Sequence, residues 1–172
     1  MYKIILIILS IIFYFFITFI TNTLDLFYPY TNLLLSSLFI IFIFSVYFKY
    51  NRFALISYIL FTLVFLFYRR KVEVNINSEF YLIKWLKIIF DNKIVMINIL
   101  GNLLLFMPYT LLIKSKYYFL LILIIIFGLE YIQYLTKRGV LDIVDIILNI
   151  FGSLLVIPFR WRIYERRKQK AV

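Results

Sequence analysis

The 172-residue sequence contains no cysteine and no histidine. It therefore offers no thiolate nucleophile, no disulfide, no imidazole base and none of the usual zinc ligands. Any metal would have to be a hard cation held by oxygen, and neither a metal nor another cofactor is predicted. Glycine and proline are scarce, at four and three residues, which leaves no low-complexity linker. Acidic residues are also few, eight against nineteen basic ones, for a formal net charge of +11.

Apolar residues fill the space, making up 65% of the chain, and 22% is aromatic. That share is far above the range of soluble domains, so the expectation is an integral membrane protein. Enrichment in Ile, Phe, Asn, Lys and Tyr is also what an AT-rich genome produces, so the aromatics are read as lipid-facing rather than as a binding box. The basic residues sit in short connections and at the C-terminus, between apolar runs. Such placement points to topology and anionic headgroups, and no nucleic-acid partner is predicted.

Six apolar segments stand out, at 4–20, 33–48, 53–68, 94–113, 117–136 and 141–159. Each approaches the roughly 20 residues that cross a bilayer as helix. The first has Lys3 before it but Thr21-Asn22-Thr23 after it, which is no small-residue cleavage site, so it is read as a retained span. The predicted fold is thus all-α, a polytopic transmembrane bundle of about six spans.

The one long connection, 69–93, opens with Arg69-Arg70-Lys71 and continues into an apolar stretch bearing Lys84, Trp85 and Lys87. Lysines three apart among aliphatics suit a helix lying in the interface plane. Arg69, Arg70, Lys71, Lys84 and Lys87 are accordingly the expected contacts to anionic lipid. The basic tail, with Arg160, Arg162, Arg166, Arg167, Lys168 and Lys170, argues for cytoplasmic termini, against the counterweight of the basic loop.

Polar groups in the last three segments need a reason, because a carboxylate in hydrocarbon costs roughly 2.5–3.5 kcal/mol on insertion scales. Asn98 and Asn102 open the fourth segment, Glu130 and Gln133 close the fifth, and Asp142, Asp145 and Asn149 open the sixth. With alternating helix direction, all seven fall within roughly 12 Å of one membrane face at about 1.5 Å per residue. Spacings of three and four put each set on a single helix face. The expectation is one shallow ligand pocket formed by these seven residues. Gly101 beside the asparagines and Gly152 on the sixth segment are predicted packing sites, and Pro108 is a predicted kink. Plainer roles compete: Asp142 or Asp145 as a helix cap, the asparagines as interhelical hydrogen bonds, and Glu130 as a structural partner of Asn102, Gln133 or Arg138.

The run Asn98-x2-Gly101-Asn102-x3-Phe106-x-Pro108, followed by Glu130-x2-Gln133 and then Asp142-x2-Asp145-x3-Asn149-x2-Gly152, resembles the paired signatures of VanZ-like membrane proteins. The resemblance covers 53–159, as a four-helix membrane domain. Residues 1–52 are then two additional N-terminal spans, and 160–172 a basic tail. Asn75 stands where the family has a polar N-x2-P-F element, but Ser78 occupies the place of its proline. The resemblance implies a multi-pass protein of the bacterial cytoplasmic membrane, in a family whose founding member is associated with low-level resistance to teicoplanin, a glycopeptide antibiotic. Expected partners are the bilayer with its anionic lipids, and a lipid-linked cell-wall precursor or a glycopeptide.

Two function classes fit the pocket, with a third behind them. The preferred one is an accessory or binding factor in which the amides and carboxylates hydrogen-bond a ligand at the envelope surface. An intramembrane enzyme would instead use Glu130, Asp142 and Asp145 as acid and base or as ligands of a hard cation, but the serines and threonines lie away from this cluster. A proton- or ion-coupled transporter is the remaining alternative, without a repeat to support it.

Overall fold

The structure, a computed structural model, describes residues 2–73, 76–77 and 81–162, with side chains from Ile4 onward. Asn75, Ser78 and the tail residues Arg166, Arg167, Lys168 and Lys170 lie outside the described residues. Among the described residues, eight helices and two short strands follow one another: α1 (Tyr2–Leu24), α2 (Thr31–Tyr47), α3 (Asn51–Phe67), β1 (Ile76–Asn77), α4 (Leu82–Ile88), α5 (Lys93–Leu105), α6 (Met107–Leu112), α7 (Tyr118–Leu135), β2 (Leu141–Asp142) and α8 (Ile143–Leu155).

Among the described residues, four stretches are helical, long and apolar enough to cross a membrane: Ile4–Leu24, Lys93–Leu112, Tyr118–Leu135 and Ile143–Arg162. The helices α2 and α3 are apolar but shorter, at 17 residues each. Large aliphatic and aromatic side chains such as Ile12, Phe15 and Ile124 face outward, a surface that suits an apolar surrounding and not water.

The chain divides into two compact units. The first runs from the N-terminus through α3 and adds 132–141, while the second holds 76–131 and continues from Asp142. Compactness therefore divides the chain after α3, whereas the sequence motifs divide it at 52/53.

In the first unit α2 packs against both α1 and α3. Rings interlock there: Phe13 stacks on Phe39 at 3.6 Å, and both meet Phe61. Ser10, Ser36, Ser37 and Thr62 return their hydroxyls to the carbonyl four residues back, as Thr62 does to Tyr58. This satisfies the hydroxyl without a partner helix. Helix α2 ends through Lys49 at φ 62°, with the N–H of Tyr50 donating to Ser45 and that of Lys49 to Val46. The end of α7 repeats the motif through Lys137 at φ 57°, with Arg138 N–H donating to Gln133 and Lys137 N–H to Tyr134. This six-to-one and five-to-two pattern usually employs glycine. A lysine in its place keeps the stop signal while putting a charge at the helix's negative end.

In the second unit α8 packs chiefly on α5. Val95, Ile99, Val144 and Leu148 form the buried seam, and Tyr81, Leu82, Trp85 and Ile89 pack on it. The short helix α4 thus has one face on the core. Ile83 and Leu86 on its other face are exposed beside Lys84 and Lys87. Strand β1 pairs with β2 next to the start of α8.

Both α5 and α8 are interrupted two residues before a proline. Phe106 separates α5 from α6 ahead of Pro108, and Val156 ends α8 ahead of Pro158, after which helical turns resume to Arg162. Proline lacks the N–H and collides with the carbonyl four residues back. The N–H groups of Phe106 and Val156 turn instead to Leu104 and Leu154.

Candidate functional site

Helix α7 buries Ile122, Ile126, Glu130 and Gln133, at spacings of four, four and three. The stripe that would be lipid-like along its length ends in a carboxyl and an amide. Glu130 is 6% exposed and accepts from Asn149 Nδ2 at 3.3 Å. Asn149 is itself fully buried, and its Oδ1 has no hydrogen-bond partner among the described residues. An unmade bond at a buried acceptor costs about 1–3 kcal/mol, so the amide is held where a further donor would be welcome.

The reason Asn149 is so deeply buried lies one turn on. A Cβ at Gly152 would stand 1.8 Å from the carbonyl oxygen of Leu103. Only glycine lets the α5 backbone approach there. Ser153 Oγ returns to the Asn149 carbonyl at 3.0 Å, and Thr110 Oγ1 donates to the Ser153 carbonyl at 3.3 Å. At Gly101, by contrast, a Cβ would meet nothing within 4 Å. The close approach expected there belongs to Gly152 instead, because α5 presents its Leu103 carbonyl, not Gly101, to its neighbour.

Asp142 forms a second cluster, seven residues before Asn149 and so roughly 10 Å away along α8. It is the N-cap of that helix, accepting from the Val144 N–H at 2.8 Å through Oδ1. Its Oδ2 accepts from Asn77 Nδ2 at 3.3 Å and from the Tyr81 hydroxyl. Burial raises its carboxyl pKa above the usual value, while the Val144 N–H, the Asn77 amide and the Asp145 N–H pull in the opposite direction. The carboxylate thus anchors β1 and the α4 entry to the start of α8.

The remaining candidates are distributed more widely. Asp145 is half-buried in the first turn of α8. Asn98 and Asn102 are half-buried on α5, with no side-chain hydrogen bond among the described residues. Gln133 is buried in the first unit, beside Gly139, where Arg69 also packs. Of the seven expected pocket residues, the Glu130–Asn149 pair is thus joined by a side-chain hydrogen bond. Among the basic positions, Arg70 lies 4.0 Å from Asp25, and Lys71, Lys84 and Lys87 are exposed.

Three contributing residues were not singled out as site residues by sequence. Asn77 and Tyr81 hold Asp142, and their signal was faint, two polar groups at the edges of an apolar loop. By sequence Arg160 is one charge of a basic tail. Its guanidinium donates to the carbonyls of Thr110 and Ile113, each at 2.5 Å, and of Ser115 at 3.3 Å, and lies 3.8 Å above the Tyr118 ring. An arginine reaching the orphaned carbonyls at the end of α6 completes that helix, and the signal lay in the short 113–117 connection, too small to satisfy those carbonyls itself.

No family model, no curated protein and no solved structure matches this chain.

Proposed function

We propose that this chain is a VanZ-like integral membrane protein of the bacterial envelope, with six spans, both termini cytoplasmic, and a binding centre at Glu130 and Asn149. The buried Glu130–Asn149 hydrogen bond between two apolar helices carries the reading. A carboxyl and an amide retained at such cost serve recognition of a polar ligand group, and the open acceptor at Asn149 Oδ1 gives that ligand a place to donate. In this reading α2 and α3 reach across the bilayer at 17 residues each, the low end of the spanning range. Helix α4 lies in the interface, with Lys84 and Lys87 toward anionic headgroups and Ile83 and Leu86 in the acyl boundary.

The protein acts as an accessory or binding factor that alters envelope properties, including susceptibility to teicoplanin-type glycopeptides. An enzymatic reading is weaker, because Asp142 is committed to capping α8 and to Asn77 and Tyr81. Transport would require Glu130 to exchange a proton or an ion, and proteoliposome flux abolished by Glu130→Gln would establish it over binding.

The direct test expresses the chain in a teicoplanin-sensitive Gram-positive host, alongside Glu130→Gln and Asn149→Ala, and measures the minimal inhibitory concentration with membrane abundance. A raised inhibitory concentration that both substitutions abolish at unchanged abundance supports the reading. Substitutions that leave both readouts at the wild-type level reduce the pair to a structural bond and remove the proposal. Accessibility mapping of Lys71, Lys84 and Lys87 from outside the cell tests the orientation, since a cytoplasmic loop would exclude an external glycopeptide as ligand.

A further inference from the structure

The first unit contains a cleft independent of the Glu130 centre. Asp25 and Tyr30 both take left-handed backbone angles, φ 46° and 64°, tolerable for aspartate and strained for tyrosine. Between them the chain turns from the end of α1 into the start of α2. A cleft of about 380 Å³ remains there, lined by residues including Asn22, Asp25, Tyr28, Tyr30, Asn32 and Arg70.

Its two charges are opposite and adjacent. Arg70 Nη1 stands 4.0 Å from Asp25 Oδ1, with side chains 57% and 87% exposed. A pair so exposed contributes little to folding, so each group remains able to take another partner. A purely anionic ligand at Arg70 would meet the Asp25 carboxylate, and a purely cationic ligand at Asp25 would meet the guanidinium. A ligand carrying both charges meets neither penalty, because its ammonium satisfies Asp25 while its anion satisfies Arg70. Asn32 donates its amide N–H to Thr18 Oγ1 at 3.1 Å, which leaves the amide oxygen as an acceptor for an ammonium. Tyr28 and Tyr30 stand exposed at the end of the long apolar α1. Amphipathic rings in that place mark headgroup depth.

We propose that this cleft binds a zwitterionic group in which an ammonium lies close to a phosphate, the chemistry of phosphoethanolamine. The group can come from a phospholipid headgroup or from the free compound. The experiment uses the full-length protein in neutral detergent and titrates it with monomeric dihexanoyl-phosphatidylethanolamine, with dihexanoyl-phosphatidylglycerol, and with O-phosphoethanolamine, following thermal stabilisation. The expected result is preference for the ethanolamine compounds over phosphatidylglycerol. Asp25→Asn is expected to erase that preference through a roughly two- to fivefold loss of ethanolamine binding, the fold-change of a partly exposed ion pair. Arg70→Gln is expected to weaken all three ligands. Binding of the lipid alone identifies a membrane headgroup as the source, and equal binding of O-phosphoethanolamine identifies the free group. Equal stabilisation by both lipids in the wild type, or a preference that survives Asp25→Asn, overturns the proposal. So does a large fall in unliganded melting temperature for either variant, since the pair would then be structural.

Discussion

Helices α5 and α8 are built to the same local plan and put to different uses. Each is 13 residues long, starts from an Asx cap, Asn92 or Asp142, and breaks two residues before a proline. Each carries a polar amide and a glycine three residues later, Asn98 with Gly101 and Asn149 with Gly152. Yet Asn149 and Gly152 are buried against neighbouring groups, while Asn98 is half-buried and Gly101 borders open space. Capping and proline chemistry thus set where a helix starts and stops, whereas the neighbour it meets decides which of its amides is buried in a site.

The two glycines give the largest expected contrast. Gly152→Ala forces a methyl onto the Leu103 carbonyl, and because backbone must move it is expected to cost about 3 kcal/mol or more, at or beyond the upper end for overpacking. Gly101→Ala meets nothing and is expected to gain up to about 1 kcal/mol from helix propensity. Thermal unfolding of both variants in the same detergent checks this pair. Equal effects would end the distinction between the helices.

The amides come next. Asn149→Ala leaves the Glu130 carboxyl without this bond and is expected to lower stability by about 1–3 kcal/mol, while Asn98→Ala stays within about 0.5 kcal/mol. A double-mutant cycle of Glu130→Gln with Asn149→Ala should return a coupling of at least about 0.5 kcal/mol, the signature of contact. Additive losses would separate the two residues energetically.

Caps should differ more mildly. Asn92 accepts from the N–H groups of Ile94 and Val95, so Asn92→Ala is expected to cost about 1 kcal/mol. Asp142 caps α8 and also holds Asn77 and Tyr81, so Asp142→Ala is expected to cost about 2 kcal/mol, with loosening of α4. Protease accessibility of the 78–90 region reads the second part directly. Cleavage there enhanced equally by Asn92→Ala would show that α4 depends on α5 rather than on Asp142.

The smallest effect is one of pH. Burial raises the Asp142 carboxyl above its ordinary pKa, so the folded protein holds this proton more tightly than the unfolded chain. Its contribution to stability is fully present below the ordinary carboxylate value and is lost as pH rises through the raised folded value. Asp142→Asn should flatten that part of the stability profile, and an unchanged slope would assign it to another carboxyl.

Much of the helix pattern was legible from local signals. The apolar runs, the break near Pro108 and a carboxylate cap on the sixth segment needed only hydropathy and backbone chemistry. Partnership was less legible. Asn98, Asn102 and Gln133 have the same depth as Glu130 by residue counting, but depth and helix face leave open which neighbour a helix meets. Asp142 illustrates the difference well: its cap was readable within four residues of chain, whereas its bonds to Asn77 and Tyr81 span 65 and 61 residues.

Local chemistry along the chain is enough to specify mostly apolar helix, with no thiol or imidazole chemistry and with carboxyls near helix ends, because composition, periodicity and proline act over one or two turns. Packing in three dimensions is what pairs Glu130 with Asn149, makes Gly152 rather than Gly101 admit a neighbouring backbone, and puts Asp25 and Arg70 in one cleft. Those outcomes depend on which surfaces pack within a few ångströms, a steric matter that no spacing along one helix specifies.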